Sequence, residues 1–240
     1  NRNRVREIIT KFNPDIVINC AAVTNLEKCQ ENLENSYDSN TLGAINLLLG
    51  TSEINSKFVH ISSGCLFDGN QVPVKEDEIP DPKVWYTRTK QWADDFISNY
   101  EYSNYLILRP RQMISKTPHP TNMLTKFMNL NKIGAIDETN SVTCIEDFSK
   151  IIDHLLSIDA TGIFNCANTG TLTPFQIATR MKETIHPELE VSKVDYEDFL
   201  KTLINKRVNT VLSVDKLIES GYTPRSAIDA LDWCLMNYGE

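Results

Sequence analysis

Hydrophobic and polar positions along the chain alternate between a helical pattern and a strand pattern. Amphipathic spacing typical of helices covers residues 3–12 and 33–54, and apolar runs typical of buried strands cover 14–22, 58–61 and 105–108. Such short apolar runs, bounded by turn residues, are expected of strands that are covered on both faces of a parallel sheet. The alternating order therefore predicts an α/β fold with a doubly wound parallel sheet, whose ligand sites lie at the carboxyl ends of the strands.

The pattern changes at about residue 110. One more helix, over 84–100, precedes that point, and short strands alternate with helices after it. The later helices are predicted at about 121–131, 145–157, 174–184, 194–204, 213–219 and 224–238. Residues 1–110 are thus expected to form the sheet domain, and residues 111–240 mainly a smaller α/β lobe that is partly interleaved with it.

Composition narrows the class of protein. The chain has 240 residues, of which 41% are hydrophobic, a net charge of −8 and no long apolar run. It is therefore expected to be a cytoplasmic protein that neither spans a membrane nor presents a basic surface to nucleic acid. Its six cysteines are scattered without metal-ligand spacing, so reduced thiols and no metal site are predicted.

Candidate chemistry lies around the helix over 84–100. Tyr86 and Lys90 are four residues apart, which places them on one face of that helix, one turn apart. A lysine ammonium in this position lowers the pKa of a neighbouring phenol from its usual value of about 10. Ser63 follows the strand over 58–61 and would bind the carbonyl oxygen that Tyr86 protonates. Together the three residues predict an acid for the reduction or oxidation of a carbonyl.

A glycine-rich phosphate turn is missing from the sequence. Parallel sheets that bind a dinucleotide begin with a strand, a G-x-G-x-x-G type of turn and a helix, and no such turn occurs in this chain. One interpretation is that about two strand–helix units of roughly 30 residues each are missing from the start. The chain alone would then bind a dinucleotide poorly. The other interpretation is a different fold that binds no dinucleotide.

Four segments resemble, in order and spacing, the extended short-chain dehydrogenase/reductase family of nucleotide-sugar enzymes. They are Asn19–Thr24, Asn40–Leu47, the serine motif over Ile61–Gly69 and the helix that carries Tyr86 and Lys90. The resemblance implies an NAD(P)-binding Rossmann fold. Residues 1–110 would be a partial dinucleotide-binding domain and the remaining residues the substrate-binding lobe, with NADPH as the cofactor and NADH as the alternative.

The second half resembles one branch of that family, the dTDP-4-dehydrorhamnose reductases. Arg207–Leu212 and Asp215–Leu217 are similar to their R-P-x-N-S-x-L and D-x-x-K-L segments, except that Val208 stands in place of the proline. Gly162–Asn165, followed by Ala178, also matches this branch. The implied substrate is a nucleotide-linked keto sugar.

A narrower resemblance is to the bifunctional epimerase/reductases of UDP-rhamnose synthesis. It is carried by Gly64–Phe67, by the spacing of Tyr86, Thr89 and Lys90, and by two later segments, Leu108–Ser115 and Leu124–Lys126. In that class a cysteine and a lysine or histidine exchange protons on the carbons beside a ketone. The resemblance implies that Cys65 and Lys126 do so here, although the position of Lys126 depends on an alignment through a loop.

The resemblance also assigns the remaining roles. Tyr86 would donate a proton, Ser63 would orient the carbonyl, and Lys90 would act on the tyrosine and on the nicotinamide ribose. Asn40 would support a water relay to Lys90. The residues expected to bind the cofactor are Asn19, Ala21, Ala22, Tyr86, Lys90 and Arg109, and those expected to bind the substrate are Ser63, Asn122 and Arg207. His60 is expected to be a core histidine or a residue behind the reacting groups.

The predicted function is therefore conversion of UDP-4-keto-6-deoxyglucose to UDP-rhamnose by 3,5-epimerisation and NADPH-dependent 4-keto reduction. The sequence does not show whether the sugar substrate is linked to UDP or to dTDP. It is compatible with a homodimer. A 4,6-dehydratase is disfavoured because Gly64-Cys65 replaces the Asp-Glu pair that it needs. A plain 4-keto reductase, which usually has Asp-Tyr at this point, is the first alternative. The second is a non-catalytic binding subunit similar to the beta subunit of methionine adenosyltransferase.

Overall fold

The computed structural model describes residues 1–69 and 72–240. Its strands are β1 (Ile16–Asn19), β2 (Lys57–Ile61), β3 (Tyr105–Pro110), β4 (Met113–Ile114), β5 (Lys132–Ile136), β6 (Thr143–Cys144), β7 (Gly162–Cys166) and β8 (Glu190–Val194). Its helices are α1 (Arg2–Phe12), α2 (Leu26–Glu31), α3 (Leu33–Tyr37), α4 (Gly43–Glu53), α5 (Trp85–Asn99), α6 (Met123–Met128), α7 (Ile145–Ser157), α8 (Pro174–Thr184), α9 (Tyr196–Lys201), α10 (Asp215–Glu219) and α11 (Ala227–Met236). None of the helices in these two ranges is long and apolar enough to cross a membrane.

The main sheet is parallel, with the strand order β1-β2-β3-β7. Apolar side chains are buried on both of its faces, as continuous apolar strands require. One face packs against α4 and α5 through a cluster that includes Leu48, Phe58 and Ile97. The other face packs against α7 through a cluster that includes Leu108 and Ile151. The prediction of a doubly wound parallel α/β fold is confirmed.

The second half of the chain forms a smaller lobe and also supplies a strand to the main sheet. Two short parallel pairs, β4–β6 and β5–β8, form outside that sheet. The core of the lobe lies between α8 and α11, where Ile177, Met181 and Leu231 are almost fully buried. Because β7 pairs with β3, the two halves are interleaved, and the predicted boundary at residue 110 stays a prediction.

The predicted helix over 33–54 is broken in the structure. Its first part is α3 and its last part is α4, and a π-helical turn, Asp38–Leu42, joins them. A π turn inserts one residue into the helix and is common at functional sites. Here the turn directs Asn40 and Thr41 into the interior against α5, where the side chains of both residues bond to Thr89.

Candidate active site

A cavity of about 610 Å³ lies between the carboxyl end of the sheet and the smaller lobe. The sheet side contributes Cys65, Tyr86 and Arg111, and the lobe side contributes Lys126 and Arg207. Parallel sheets bind ligands at this end because the connecting loops diverge there. The structure thus brings together residues from both halves of the sequence in one cavity.

Ser63 lies at the end of β2 and begins a short helical turn, Gly64–Leu66. Its hydroxyl oxygen accepts a hydrogen bond from the backbone N–H of Cys65 at 3.1 Å, and the residue is 6% exposed. The turn passes close to the lobe, since a Cβ added to Gly64 would lie 2.8 Å from a methyl carbon of Leu212. A larger residue at position 64 would therefore displace the side chain of Leu212, which packs against the turn.

Tyr86 is in the first turn of α5 and is 8% exposed, although its side chain lines the cavity. Burial, and then the nearby Cys65, raise the pKa of the phenol well above its usual value of 10. A hydrogen bond with Ser63 and the charge of Arg111 act in the opposite direction. The net shift is opposite to the one expected from Lys90, and it keeps Tyr86 protonated at neutral pH, as a proton donor must be.

Lys90 is one turn further along α5 and is 1% exposed. Its Nζ donates to the carbonyl oxygen of Ile61 at 2.6 Å and lies 3.1 Å from His60 Nε2. His60 in turn lies 3.1 Å from Asn19 Nδ2 through its Nδ1 atom. The side chains of three predicted elements, β1, β2 and α5, thus form one buried polar row behind Tyr86.

Arg109, which was expected to bind the cofactor, lies beneath this row instead of at the cavity. Its Nε atom donates to Asp94 Oδ2 at 3.2 Å, and both side chains are 3% exposed. Ser62 donates to the same carboxylate oxygen at 2.8 Å. A charged arginine in the interior needs such a partner, so the structure uses Arg109 to join β3 to α5.

Arg111 is a site residue to which the sequence analysis gave no role. Its Nη1 atom donates to the sulfur of Cys65 at 3.3 Å, and its Nη2 atom donates to Asn140 Oδ1 at 2.6 Å. Its Nε atom is buried without a hydrogen-bond partner. The available signal was the position of Arg111 directly after a strand, where ligand-binding residues are expected.

The lobe side of the cavity carries two cationic residues that were predicted. Lys126 is exposed on α6 and lines the cavity. Arg207 reaches across to the sheet domain, where its Nη2 atom donates to Glu27 Oε1 at 2.7 Å. Its Nη1 atom is buried without a hydrogen-bond partner, and the residue lines the cavity.

Two predicted asparagines have other contacts. Asn122, expected to contact the substrate, is buried at the start of α6, where it accepts from Leu124 N and donates to the carbonyl oxygens of Ser115 and Thr117. All its polar atoms are thus used in the loop, and it does not line the cavity. Asn40 binds the backbone of Val23 and the hydroxyl of Thr89, and no direct hydrogen bond joins it to Lys90.

The end of β1 fits a dinucleotide. Asn19 is buried, with its Oδ1 atom accepting from the backbone N–H of Ala21 at 3.1 Å. The next residues, Cys20 and Ala21, are exposed, and Ala22 is half-buried. Small side chains at this edge let a flat ligand approach the backbone closely. The predicted cofactor residues Asn19, Ala21 and Ala22 are therefore contiguous beside Lys90, at the end of the sheet that faces the cavity.

Comparison with known proteins gives relatives over almost the whole chain. The Bacillus subtilis spore coat polysaccharide biosynthesis protein SpsK is 26% identical over 96% of this chain and 82% of its own length. The Arabidopsis thaliana bifunctional dTDP-4-dehydrorhamnose 3,5-epimerase/dTDP-4-dehydrorhamnose reductase is also 26% identical, over 90% of this chain and 75% of its own length.

Two solved structures share the fold. The dTDP-4-dehydrorhamnose reductase of Bacillus anthracis, in complex with NADP, superimposes with a TM-score of 0.89 at 22% identity and covers 98% of this chain and 85% of its own. The L780 UDP-rhamnose synthase of Acanthamoeba polyphaga mimivirus superimposes with a TM-score of 0.88 at 21% identity, covering 99% and 87%. The family model described as the RmlD substrate binding domain matches residues 1–238. The chain therefore belongs to the RmlD substrate binding domain family.

Proposed function

We propose that this protein is an NADPH-dependent reductase of a nucleotide-linked 4-keto-6-deoxy sugar, and that it also epimerises carbons 3 and 5 of that sugar. The observation that carries the proposal is the meeting of Tyr86, Cys65 and Lys126 around one cavity, with Ser63 behind it. The names of the relatives, which include reductases and a bifunctional epimerase/reductase, support the same class of reaction.

Reduction needs a proton donor at the keto oxygen. NADPH, when bound, supplies the hydride. Tyr86 holds a proton at neutral pH because burial raises the pKa of the phenol, and it faces the cavity. Ser63 would hold the same oxygen in place. General acid catalysis of this kind contributes about 10²–10⁴-fold to the rate.

Epimerisation needs a base and an acid on opposite sides of the sugar. The ketone at carbon 4 acidifies the hydrogens on carbons 3 and 5, so a thiolate at Cys65 can remove one of these protons. Arg111, whose Nη1 atom donates to the sulfur at 3.3 Å, holds the side chain of Cys65 at the edge of the cavity. Lys126 lines the cavity from the lobe and would return a proton from the other side. The enolate formed between the two steps would be stabilised by Tyr86 and Ser63.

The nucleotide diphosphate would bind between the lobe and α2. Arg207 has one guanidinium nitrogen on Glu27 and a second, buried nitrogen with no partner. An arginine fork of this kind is suited to phosphate oxygens. This contact does not discriminate UDP from dTDP, so both nucleotide sugars belong in the test, with UDP-4-keto-6-deoxyglucose as the expected substrate.

The proposal is tested by incubating the protein with each keto sugar in deuterium oxide, with and without NADPH, and analysing the products by mass spectrometry. The expected result without NADPH is solvent deuterium at carbons 3 and 5. With NADPH the expected product is the reduced sugar carrying that deuterium. Reduction without deuterium would leave a plain 4-keto reductase, and neither change would favour a non-catalytic binding subunit.

The serine variant of Cys65 separates the two reactions. Cys65→Ser keeps the size of the side chain but replaces the thiol by a hydroxyl, which is far less acidic. Deuterium exchange is expected to fall by about 10²-fold or more. Reduction of a 4-keto sugar that is already epimerised is expected to continue, because Tyr86 and Ser63 are intact. Equal loss of both activities would show that Cys65 supports the fold of the site and is not the epimerase base.

A further inference from the structure

The buried row behind Tyr86 has a direction that its donors and acceptors define. The backbone N–H of Ala21 can only donate, so the atom of Asn19 that faces it is Oδ1, at 3.1 Å. The other end of that amide, Nδ2, is therefore turned toward His60 Nδ1 at 3.1 Å and donates to it. A nitrogen that accepts carries no proton. A neutral His60 must then carry its proton on Nε2.

The side-chain nitrogen of Lys90 lies next to the proton on His60 Nε2. This Nζ atom lies 3.1 Å from His60 Nε2, and an ammonium there would set two donors against each other. An uncharged amine has a lone pair for the Nε2–H and still donates to the carbonyl oxygen of Ile61 at 2.6 Å. The row of hydrogen bonds begins at the Ala21 N–H and ends at the Ile61 carbonyl oxygen. Every donor and acceptor in it has a partner only if Lys90 is uncharged.

Burial and the pairing of the nearby carboxylate weaken the preference of Lys90 for its charged form. Asp94 on α5 is the nearest carboxylate, with its Oδ1 atom 3.9 Å from His60 Nε2, but its other oxygen is paired with Arg109 on β3. Cys20, after β1, is the other titratable group near the amine. Burial lowers the pKa of Lys90 from 10.5 to about 8, although Asp94 acts against this shift. Burial also holds the pKa of His60 well below its usual range.

We propose that His60 is a positioning residue that favours the uncharged amine of Lys90 over its ammonium in the ligand-free protein, through the tautomer that Asn19 imposes. This inference rests on the proposed function for its consequence in catalysis. An uncharged Lys90 leaves Tyr86 protonated. Lys90 can become a stable ammonium only when His60 Nε2 turns into an acceptor, which requires the Asn19 amide to turn away from Ala21 N–H. Events at the end of β1, where the cofactor would bind, are thereby coupled to the charge beside Tyr86.

The tautomer of His60 can be observed directly in the ligand-free chain. Nitrogen-15 NMR of protein labelled at histidine distinguishes protonated from unprotonated ring nitrogens, and the His60→Gln variant assigns the signals among the four histidines. The expected spectrum has a proton on Nε2 and none on Nδ1 at pH 9, above the titration midpoint expected for Lys90. A proton on Nδ1, or on both nitrogens, would overturn the proposal, and this readout does not depend on enzymatic activity.

The charge of Lys90 gives a second readout that a merely structural role of His60 would not move. Carbon-13 NMR of labelled lysine should show Lys90 titrating with a midpoint near 8. In His60→Gln the side-chain carbonyl can accept from Lys90, so the midpoint is expected to rise by about one pH unit or more. The matched control is His154→Gln, since His154 is half-buried against Ser220 on the far side of the sheet. An unchanged midpoint in His60→Gln would refute the coupling even if the protein proved to be a reductase, and an inactive protein with the expected NMR results would refute only the function.

Discussion

The two sides of the cavity are built differently. On the sheet side, Ser63 and Lys90 are buried and their polar atoms already have partners within the chain. On the lobe side, Lys126 is exposed and Arg207 keeps a buried nitrogen without a partner. Side chains held by packing and hydrogen bonds suit chemistry that needs fixed geometry, whereas unsatisfied cations suit binding of an anionic ligand. We therefore expect the reduction to take place on the sheet side, and the lobe to bind the nucleotide and to supply Lys126 for the epimerisation.

The largest effect is expected from removing the proton donor of the sheet side. Tyr86→Phe keeps the ring and the packing of α5 but has no hydroxyl, so reduction of the keto sugar is expected to slow by about 10²–10⁴-fold. Steady-state kinetics would measure the loss, and an unchanged melting temperature would show that the fold is intact. Tyr100→Phe, at the exposed end of α5, is the control and should react normally. Comparable rates in both variants would remove the sheet side from the chemistry.

The stability of the sheet side depends on the ion pair below it. Asp94→Asn leaves Arg109 charged, 3% exposed and without its carboxylate, so the free energy of unfolding is expected to fall by about 3 kcal/mol. Denaturant unfolding measures this change. The control is Asp198→Asn, which breaks an exposed pair with Lys201 and should cost less than about 1 kcal/mol. Similar losses in the two variants would mean that the buried ion pair contributes no more to the stability of the protein than the exposed pair does.

The sequence predicted the sheet side better than the lobe side, for physical reasons. The helix over 84–100 and the strands over 58–61 and 105–108 have strong local patterns, and the structure places them at Trp85–Asn99, Lys57–Ile61 and Tyr105–Pro110. A tyrosine and a lysine four residues apart share a helix face by geometry alone. These elements needed no knowledge of distant contacts.

The parts that were missed depend on contacts between distant residues. Arg109 and Arg111 are two residues apart on one segment, yet one is paired with Asp94 and the other faces Cys65. Residues two apart on a regular strand share a face, but Arg111 lies just beyond β3, which ends at Pro110, so no local pattern says which of the two faces the cavity. The π turn that carries Asn40 was missed for the same reason, because the side chain of Asn40 bonds to Val23 and Thr89 in other elements of the chain.

The pH dependence of stability tests whether the charge of Lys90 is suppressed as the buried row requires. A lysine whose folded pKa is about 8 binds fewer protons when folded than when unfolded, so its contribution to stability rises with pH between 8 and its unfolded value near 10.5. Cys166 and Cys234 oppose this trend, because burial raises the pKa of the Cys166 thiol and a hydrogen bond with Cys144, together with burial, raises that of Cys234. Comparison with Lys90→Met therefore isolates the effect. The stability of the wild type minus that of the variant should rise by about 1 kcal/mol per pH unit between pH 8.5 and 10. Parallel curves would mean that Lys90 is charged in the folded protein.

The smallest expected effect is on the lobe side, where substitution of a cation should weaken binding without slowing the reaction. Arg207→Lys keeps the positive charge but has a single nitrogen, which cannot contact Glu27 and a phosphate together as the two guanidinium nitrogens can. The KM for the nucleotide sugar is expected to rise about tenfold while kcat stays the same. Arg4→Lys, in an exposed pair with Glu7 on α1, is the matched control and should change neither constant. If kcat fell together with the rise in KM, Arg207 would act on the transition state as well, and the division between a reacting side and a binding side of the cavity would fail at this residue.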